Sequence, residues 1–149
     1  MDRILKKKDM KKIFAPLLIA ALISLAGQAQ TQTLTIQVTN VKDAEGHVRI
    51  AIYNSDKDFM KKWFMVKSAK AAKGTVEVVI DNLPAGTYGI SVMHDANSNE
   101  KMDSNMIGMP KEGFGFSNNA KGTFGPPSYE KTKIDFSTSK QISIAMTYL

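Results

Sequence analysis

Residues 75–92 read TVEVVIDNLPAGTYGISV and contain two runs in which apolar and polar residues alternate. Apolar side chains recur at every second position, at 76, 78 and 80 and again at 88, 90 and 92. A period of two places one side of the chain on a buried face, which is typical of β-strands packed against a core. Between the runs, Leu83-Pro84-Ala85-Gly86 supplies the Pro and Gly whose backbone angles suit a tight reversal. The stretch therefore predicts two strands joined by a turn.

The same period recurs through the rest of the chain after residue 32. It predicts four more strands at 33–38, 48–52, 134–136 and 142–148, and residues 63–68 are a seventh candidate. Many short alternating strands without a long helical period indicate an all-β fold. We expect an antiparallel β-sandwich of about seven strands, immunoglobulin-like or transthyretin-like, with one long ordered loop.

One segment does not fit the strand pattern. Ser55-Asp56-Lys57-Asp58 has the Ser-x-x-acid form of a helix start, and large apolar residues follow it at helical spacing. We predict a short helix or helical turn over one end of the sandwich. Trp63 in this segment has two interpretations. The usual burial of large apolar residues favours a core-capping role, and the alternative is an aromatic ligand-binding patch.

The connection from His94 to Ser128 is 35 residues long and shows little alternation. Connections of that length without regular structure are uncommon, and they usually have a function or are held in place by a bound ion or by packing. Oxygen side chains lie at 95, 97, 99, 103 and 105, and the first four match the ligand spacing of an EF-hand calcium loop. Calcium binds only oxygens in such loops, including a backbone carbonyl at the seventh position. We expect a calcium site formed by Asp95, Asn97, Asn99, Lys101, Asp103, Asn105 and Glu112.

The match to the calcium loop is incomplete, and alternatives stay open. Glu100 stands where the EF-hand has Gly, and Met106 stands where it has a bidentate Glu. The Asp and Asn side chains could instead form Asx-turns with their own backbone and bind no metal. Hydrolysis through the carboxylate pair Asp95 and Glu112 is a further alternative. Because no nucleophile, acid and base converge in the sequence, we do not expect catalysis.

The second half of this connection is rich in aromatic residues and glycine. Phe114 and Phe116 alternate with glycines, and Pro126-Pro127 closes the run. Exposed rings could form a ligand platform together with Trp63. Rings turned inward would instead anchor a long loop, and glycines would let the chain pass close to a sheet. A long polar loop stays ordered only if some apolar side chains anchor it, and this favours the packing interpretation.

The first 29 residues have the organisation of an export signal. Residues 1–29 contain six cations and two anions, residues 13–26 form an uncharged apolar run, and small residues stand at Gly27 and Ala29. The run is shorter than the roughly 20 apolar residues that a membrane-spanning helix needs. We therefore expect a cleaved signal peptide at 1–29 and a single β-sandwich domain at 30–149, periplasmic or extracellular, with no membrane span.

Charge and cysteine content exclude several classes of function. The formal charge is +6, but outside residues 1–29 there are only 14 cations against 12 anions. A domain so close to neutrality lacks the positive surface that nucleic-acid binding requires. The absence of cysteine excludes disulfides, thiol catalysis and zinc–thiolate sites, and two histidines alone make zinc unfavoured.

Several motifs resemble one family. They are Gly86-Thr87-Tyr88, the segment 94–105, GMPKEGFGFSN at 108–118 and Pro126-Pro127-Ser128. Together they resemble the secreted bacterial proteins grouped as domain of unknown function 2141, over residues 33–149. The resemblance implies export and one β-sandwich-like domain, and it implies no particular biochemical activity. The turn at 83–88 is also similar to that of transthyretin-like and carboxypeptidase-regulatory-like domains, which are accessory modules.

These observations indicate an exported, non-catalytic binding or accessory module with a calcium-stabilised loop at 94–112. Its partner would be a glycan, a peptide or an envelope protein. The alternative is a purely structural envelope protein whose loop is held by Asx-turns without a metal.

Overall fold

The computed structural model describes residues 32–149, and the predicted signal peptide lies outside the described residues. The described part contains eight strands, a 3₁₀ turn at Ser117–Asn119 and one helical turn, α1, at Tyr129–Thr132. The strands are β1 (Leu34–Val41), β2 (His47–Tyr53), β3 (Met65–Lys70), β4 (Gly74–Ile80), β5 (Gly86–Asp95), β6 (Gly113–Phe116), β7 (Ile134–Phe136) and β8 (Lys140–Ala145). Neither helical element within residues 32–149 has the length and apolar character that crossing a bilayer requires.

The strands form two sheets, so the predicted all-β class is confirmed. One sheet has the order β4-β1-β8, and the other has the order β3-β2-β5-β6, with β7 paired to the start of β5. All pairs are antiparallel except β1 with β8, which is parallel, so the expectation of a purely antiparallel arrangement was wrong at that pair. Each of the seven predicted strands overlaps a strand of the structure. The eighth, β6, lies where the sequence predicted an irregular Gly-rich loop.

The apolar side chains selected by the alternation form one hydrophobic cluster between strands of both sheets. Buried members include Ile36 of β1, Ile50 of β2, Val78 of β4, Ile90 of β5 and Ile144 of β8. Burying each such side chain contributes about 1.5–3 kcal/mol. Since residues of both sheets share this cluster, burial of the period-two faces explains why the sheets stay together.

The turn between β4 and β5 carries the chain from one sheet to the other. Ile80 ends a strand of the three-stranded sheet, and Gly86 begins the central strand of the larger one. Leu83 is buried, and the Tyr88 hydroxyl donates to the Pro84 carbonyl at 2.8 Å. The two strands of the opening stretch are therefore neighbours in sequence but do not pair.

The segment after β2 forms a helical turn without continuing into a helix. Ser55 and Asp58 form the expected cap, since the Asp58 amide donates to the Ser55 hydroxyl at 3.3 Å and the Ser55 hydroxyl donates to the Asp58 carboxylate at 2.9 Å. Met60 then adopts a φ of 59°, which leaves the helical region. Phe59 enters a second cluster with Tyr53, Phe116 and Tyr129. The core-capping role expected for Trp63 was wrong, because Phe59 fills that place and Trp63 is 58 % exposed.

The presence of β6 shortens the long connection that the sequence predicted. The irregular stretch between β5 and β6 covers residues 96–112, which we call the β5–β6 loop. Pairing of His94 with Gly113 brings the two ends of this loop together at one edge of the larger sheet. A second irregular stretch runs from 120 to 128, before α1.

Candidate functional site

The β5–β6 loop is bounded by two carboxylates that are largely removed from water. Asp95 is the last residue of β5 and is 1 % exposed, and Glu112 directly precedes β6 and is 9 % exposed. Because β5 and β6 are antiparallel and pair up to His94 and Gly113, these two residues lie next to each other where the strands end. Buried carboxylates are rare unless their oxygens are bonded, so their partners decide what they do.

Each carboxylate accepts two backbone N–H groups from the loop. Asp95 accepts the Asn99 amide on Oδ1 at 3.0 Å and the Glu100 amide on Oδ2 at 2.9 Å. Glu112 accepts the Ala96 amide on Oε1 and the Asp103 amide on Oε2, both at 3.1 Å. Hydrogen bonds to an ionised acceptor are the stronger kind, so four of them fix the path of the chain from 96 to 103.

A third carboxylate joins the middle of the loop to its first turn. Asp103 accepts the side-chain amide of Asn97 at 2.6 Å and that of Asn99 at 3.1 Å. The carbonyl oxygens of the same two side chains accept the amides of Asn99 and Lys101, at 3.2 and 2.9 Å, which are Asx-turns.

Side-chain hydrogen bonds thus join five of the seven residues of the expected calcium site in one network. Lys101, from which only the backbone carbonyl was expected, joins this network through its amide, and the Asn105 side chain bonds the far end of the loop instead. No group of three or more His, Asp or Glu side chains within residues 32–149 is placed to hold a metal ion. The donor set consists of oxygens, which suits a hard cation, but those oxygens already accept protein N–H groups. Calcium therefore stays a prediction.

The backbone of the first turn has one feature of a calcium loop. Ser98 and Glu100 adopt φ values of 57° and 65°, in the left-handed region. Glu100 occupies the position at which the EF-hand places Gly to make its sharp turn. The turn is therefore made without the glycine. The two carboxylate-bonded amides at 99 and 100 hold this strained conformation in place.

The far end of the loop is a closed hairpin that displays apolar side chains. Ser104 and Pro110 form an isolated bridge, and the Asn105 amide donates to the Met109 carbonyl at 2.8 Å. The Asn105 side-chain oxygen accepts the amides of Ile107 and Met109 at 3.0 and 2.9 Å. Met106 is 104 % exposed and Ile107 is 83 % exposed. We call residues 105–109 the loop tip. The sequence did not predict this hairpin, although Asn105-x-x-Gly108 is a recognisable turn sequence.

The aromatic residues predicted as a ligand platform lie in different places. Phe116 is 7 % exposed in the cluster that contains Phe59, with ring centroids 6.5 Å apart. Phe114 is partly buried and packs against the same cluster. These placements favour the packing interpretation of the Phe114–Phe116 pair. Trp63 lies apart, in the segment before β3, and its indole is exposed.

A buried polar network lies next to the end of β5, where the loop begins. His94 is 2 % exposed, and its Nε2 lies 2.8 Å from the Glu45 carbonyl while its Nδ1 lies 2.9 Å from the Tyr148 hydroxyl. Because a carbonyl only accepts, Nε2 carries a proton and donates to the Glu45 carbonyl, while Nδ1 bonds the Tyr148 hydroxyl. The same hydroxyl accepts the Lys42 amide at 2.9 Å. Burial raises the pKa of Tyr148; the Lys42 bond opposes this rise, and nearby Asp43 adds to it.

The buried Ser117 hydroxyl and the two carboxylates considered for hydrolysis, Asp95 and Glu112, have structural hydrogen bonds. Ser117 is fully buried, its hydroxyl bonds the Thr132 carbonyl, and it accepts the Ile90 amide at 3.0 Å. This serine joins β5 to α1. The carboxylates of Asp95 and Glu112 point at loop amides, as described above. None of the three is therefore presented to a substrate in this arrangement.

Comparison with known proteins gives one match. A family model described as "Uncharacterized protein conserved in bacteria (DUF2141)" matches residues 36–144. The matched range runs from β1 into β8 and includes the whole β5–β6 loop. No curated protein and no solved structure matches the chain.

Proposed function

The chain belongs to the family of uncharacterized proteins conserved in bacteria (DUF2141), and we propose that it is an exported, non-catalytic binding module whose recognition element is the β5–β6 loop. Its partner is an envelope protein or peptide with an apolar recess that receives the loop tip. Export is supported by the signal-like composition of residues 1–29. The role is that of an accessory domain that positions or holds another molecule.

The observation that carries this proposal is the exposure of Met106 and Ile107 on a tip whose backbone is bonded. A single exposed apolar side chain is ordinary on a protein surface. Here two adjacent ones, 104 % and 83 % exposed, stand at the end of a hairpin closed by Asn105. Met is adaptable in shape and common at binding surfaces, which suits a contact with a partner.

The hydrogen bonds at the base of the loop explain how such a contact gains affinity. Ordering a loop on binding costs conformational entropy that reduces affinity. Asp95 and Glu112 order the first turn and residue 103 before any partner arrives, through four N–H bonds to carboxylate. A loop that is already ordered presents its tip in one geometry. The two buried carboxylates therefore favour binding without touching the partner, because they order the loop that carries the tip.

We also propose that the two sheets form an immunoglobulin-like or transthyretin-like sandwich. Their shared hydrophobic cluster supports this arrangement. The bond from the Tyr88 hydroxyl to the Pro84 carbonyl gives further support, because immunoglobulin-like domains carry a similar tyrosine bonded to backbone a few residues upstream. Such a scaffold places its loops at the ends of the sheets, where they reach partners.

Cross-linking tests the recognition element. A photoreactive phenylalanine analogue is placed at position 106 of the full chain, which is produced in the bacterium that exports it, and at the exposed Ser137 position as a control. We expect one discrete adduct from position 106 and none from position 137. The adduct should disappear when Ile107→Ser is added. Equal amounts of adduct from both positions, or no adduct from position 106, would contradict the proposal.

A second candidate role is calcium-dependent stabilisation of the same loop. It is supported by the ligand spacing, by the left-handed turn at Glu100, and by the approach of Asn97 and Asn99 to Asp103. Asp95, Asn97, Asn99 and Asp103 would hold the ion, whose charge would stabilise carboxylates now bonded to amides. Affinity would be that of extracellular calcium modules, about 10⁻⁴–10⁻³ M.

Thermal unfolding with and without calcium tests this candidate. At a tenfold excess over Kd, ligand binding stabilises the folded state by about 1.4 kcal/mol, which raises the melting temperature measurably. We expect the rise to be lost in Asp103→Ala and kept in Asp56→Ala, an exposed acid outside the loop. No rise at millimolar calcium would leave the Asx-turn arrangement as the whole explanation of the loop.

A further inference from the structure

A cavity lies beside the segment that joins β2 to β3, at a place separate from the β5–β6 loop. It has a volume of about 310 Å³ and is lined by Asn54, Asp58, Lys62, Trp63 and Phe64. The cavity is open to solvent and mostly polar, and its volume lies at the lower end of the roughly 300–1,000 Å³ usual for ligand sites, so it would cover one face of a small ligand. It shares no residue with the loop tip or with the carboxylates that hold the loop.

The walls of the cavity are fixed by contacts with the sheet below. The Phe64 amide donates to the Ile52 carbonyl at 2.8 Å, and the Phe64 ring packs on Tyr88 with centroids 5.9 Å apart. The Lys62 amide donates to the Asp58 carbonyl at 2.8 Å, which closes the helical turn. Phe59 anchors this turn in the aromatic cluster. These contacts fix the backbone of the cavity wall and the Phe64 ring without a ligand.

Apart from one oxygen of Asp58, the side-chain polar atoms that line the cavity take no part in holding the described part of the fold. Asp58 uses one carboxylate oxygen to accept the Ser55 hydroxyl, at 2.9 Å. Within the described residues, its other oxygen and the side-chain polar atoms of Asn54, Lys62 and Trp63 form no hydrogen bond to protein. The lining thus offers acceptors on Asp58 and Asn54 and donors on Asn54, Lys62 and the indole.

Trp63 supplies a flat apolar surface next to those groups. Its side chain is 58 % exposed, which is unusual for the largest apolar residue type. The face of an aromatic ring carries negative charge density and attracts the weakly positive C–H groups of a saturated ring. A ligand that combines one C–H face with hydroxyls around its edge would satisfy both the indole and the polar lining.

The charge of the lining selects among ligands with that shape. One carboxylate and one ammonium line the cavity, so neither an anion nor a cation is favoured by net charge. For an organic cation stacked on Trp63, repulsion by Lys62 would offset attraction by Asp58, which leaves only the attraction of the indole. Hydroxyl groups both donate and accept, which matches a lining that offers both. We propose that this cavity binds a neutral carbohydrate of one or two sugar units, stacked on Trp63.

This inference goes beyond the role proposed for the β5–β6 loop, and the two can fail separately. The chain contains one tryptophan, so intrinsic fluorescence reports on the cavity alone. The mature protein is titrated with glucose, N-acetylglucosamine, maltose, lactose, cellobiose and chitobiose, each up to about 50 mM, a concentration at which weak binding is still visible. We expect a saturable change in tryptophan emission with at least one of these sugars.

Variants locate the response and control for unfolding. Asn54→Ala and Lys62→Ala should each weaken binding by about tenfold, because each removes hydrogen bonds to the sugar. Phe124→Ala changes an aromatic residue that is 101 % exposed outside the cavity, and it should bind like the unmodified protein. Near-identical melting temperatures among these proteins would show that the fold is intact.

Three outcomes would overturn the proposal. The first is no change in emission with any of the sugars. The second is a saturable change that persists undiminished in both Asn54→Ala and Lys62→Ala. The third is a response to tetramethylammonium or to a pool of tripeptides with none to the sugars, which would assign the cavity to a cation or a peptide.

Discussion

Replacing Glu112 by Gln tests how the β5–β6 loop is held. The carboxylate is 9 % exposed and accepts the amides of Ala96 and Asp103, each at 3.1 Å. Gln keeps the shape but presents one NH₂ group, so one loop amide faces a donor and the other keeps a neutral acceptor. A hydrogen bond to a charged group contributes about 1.5–3 kcal/mol and a neutral one about 0.5–1.5 kcal/mol. We therefore expect the free energy of opening the loop to fall by about 2–4 kcal/mol.

Amide hydrogen exchange measures this opening at the two residues concerned. Each 1.4 kcal/mol corresponds to about a tenfold change in an equilibrium constant, so exchange at Ala96 and Asp103 should accelerate by about 30-fold or more. Amides in the core strand β1 should exchange as before. The matched control is Glu100→Gln, whose carboxylate is 71 % exposed and pairs with Arg49 at 3.0 Å. An exposed ion pair contributes about 0–1 kcal/mol, so exchange at 96 and 103 should change little. Unchanged protection at both amides in Glu112→Gln would refute the reasoning.

Three further predictions concern the surroundings of the loop. Tyr148→Phe leaves the Lys42 amide and the Nδ1 atom of the buried His94 ring each without a partner, and urea unfolding at neutral pH should show a loss of about 1–3 kcal/mol. Burial holds the pKa of Tyr148 above its ordinary value of 10.0, so the folded state keeps its proton to higher pH than the unfolded state does. Stability should therefore fall as pH rises above about 10, and fall less steeply in Tyr148→Phe; equal slopes would contradict this linkage. In Gly115→Ala the new Cβ would lie 2.8 Å from a main-chain oxygen of the facing β8 strand, which should lower the urea midpoint by the equivalent of about 1–3 kcal/mol. Gly86→Ala, whose nearest atom is 3.2 Å away in a side chain, is the control, and an equal loss there would reject the steric explanation.

Alternation was sufficient to find seven strands but could not find β6. In that strand Gly113 and Gly115 alternate with Phe114 and Phe116, so only two side chains show the period, and glycines stand where the polar residues of the other strands stand. Their lack of a side chain is required by neighbours, because a Cβ on Gly113 would lie 2.4 Å from the Tyr148 ring. A strand that uses glycine for close approach has the composition of a flexible loop. The same limit applies to the turn before Gly86, since its residues suit a hairpin and a change of sheet equally well.

The spacing of oxygen side chains predicted which loop residues meet but not what they bind. Asp95, Asn97, Asn99 and Asp103 come together as the pattern indicated. Backbone amides and a calcium ion both seek carboxylate and amide oxygens, so the same residues at the same spacing suit either partner. Trp63 was misplaced for a different reason. The preference of large apolar residues for the interior applies to the segment as a whole, and Phe59 already satisfies it.

Residues 96–109 should be ordered in the absence of both metal and partner, and backbone ¹⁵N relaxation measures this order directly. The mature protein is studied in a buffer that contains a calcium chelator. If Asp95 and Glu112 hold the loop, its amides should have order parameters near ~0.85, close to those of the strands. Values below about 0.6 across the loop would contradict the claim, because such a segment would have no fixed geometry to present to a partner.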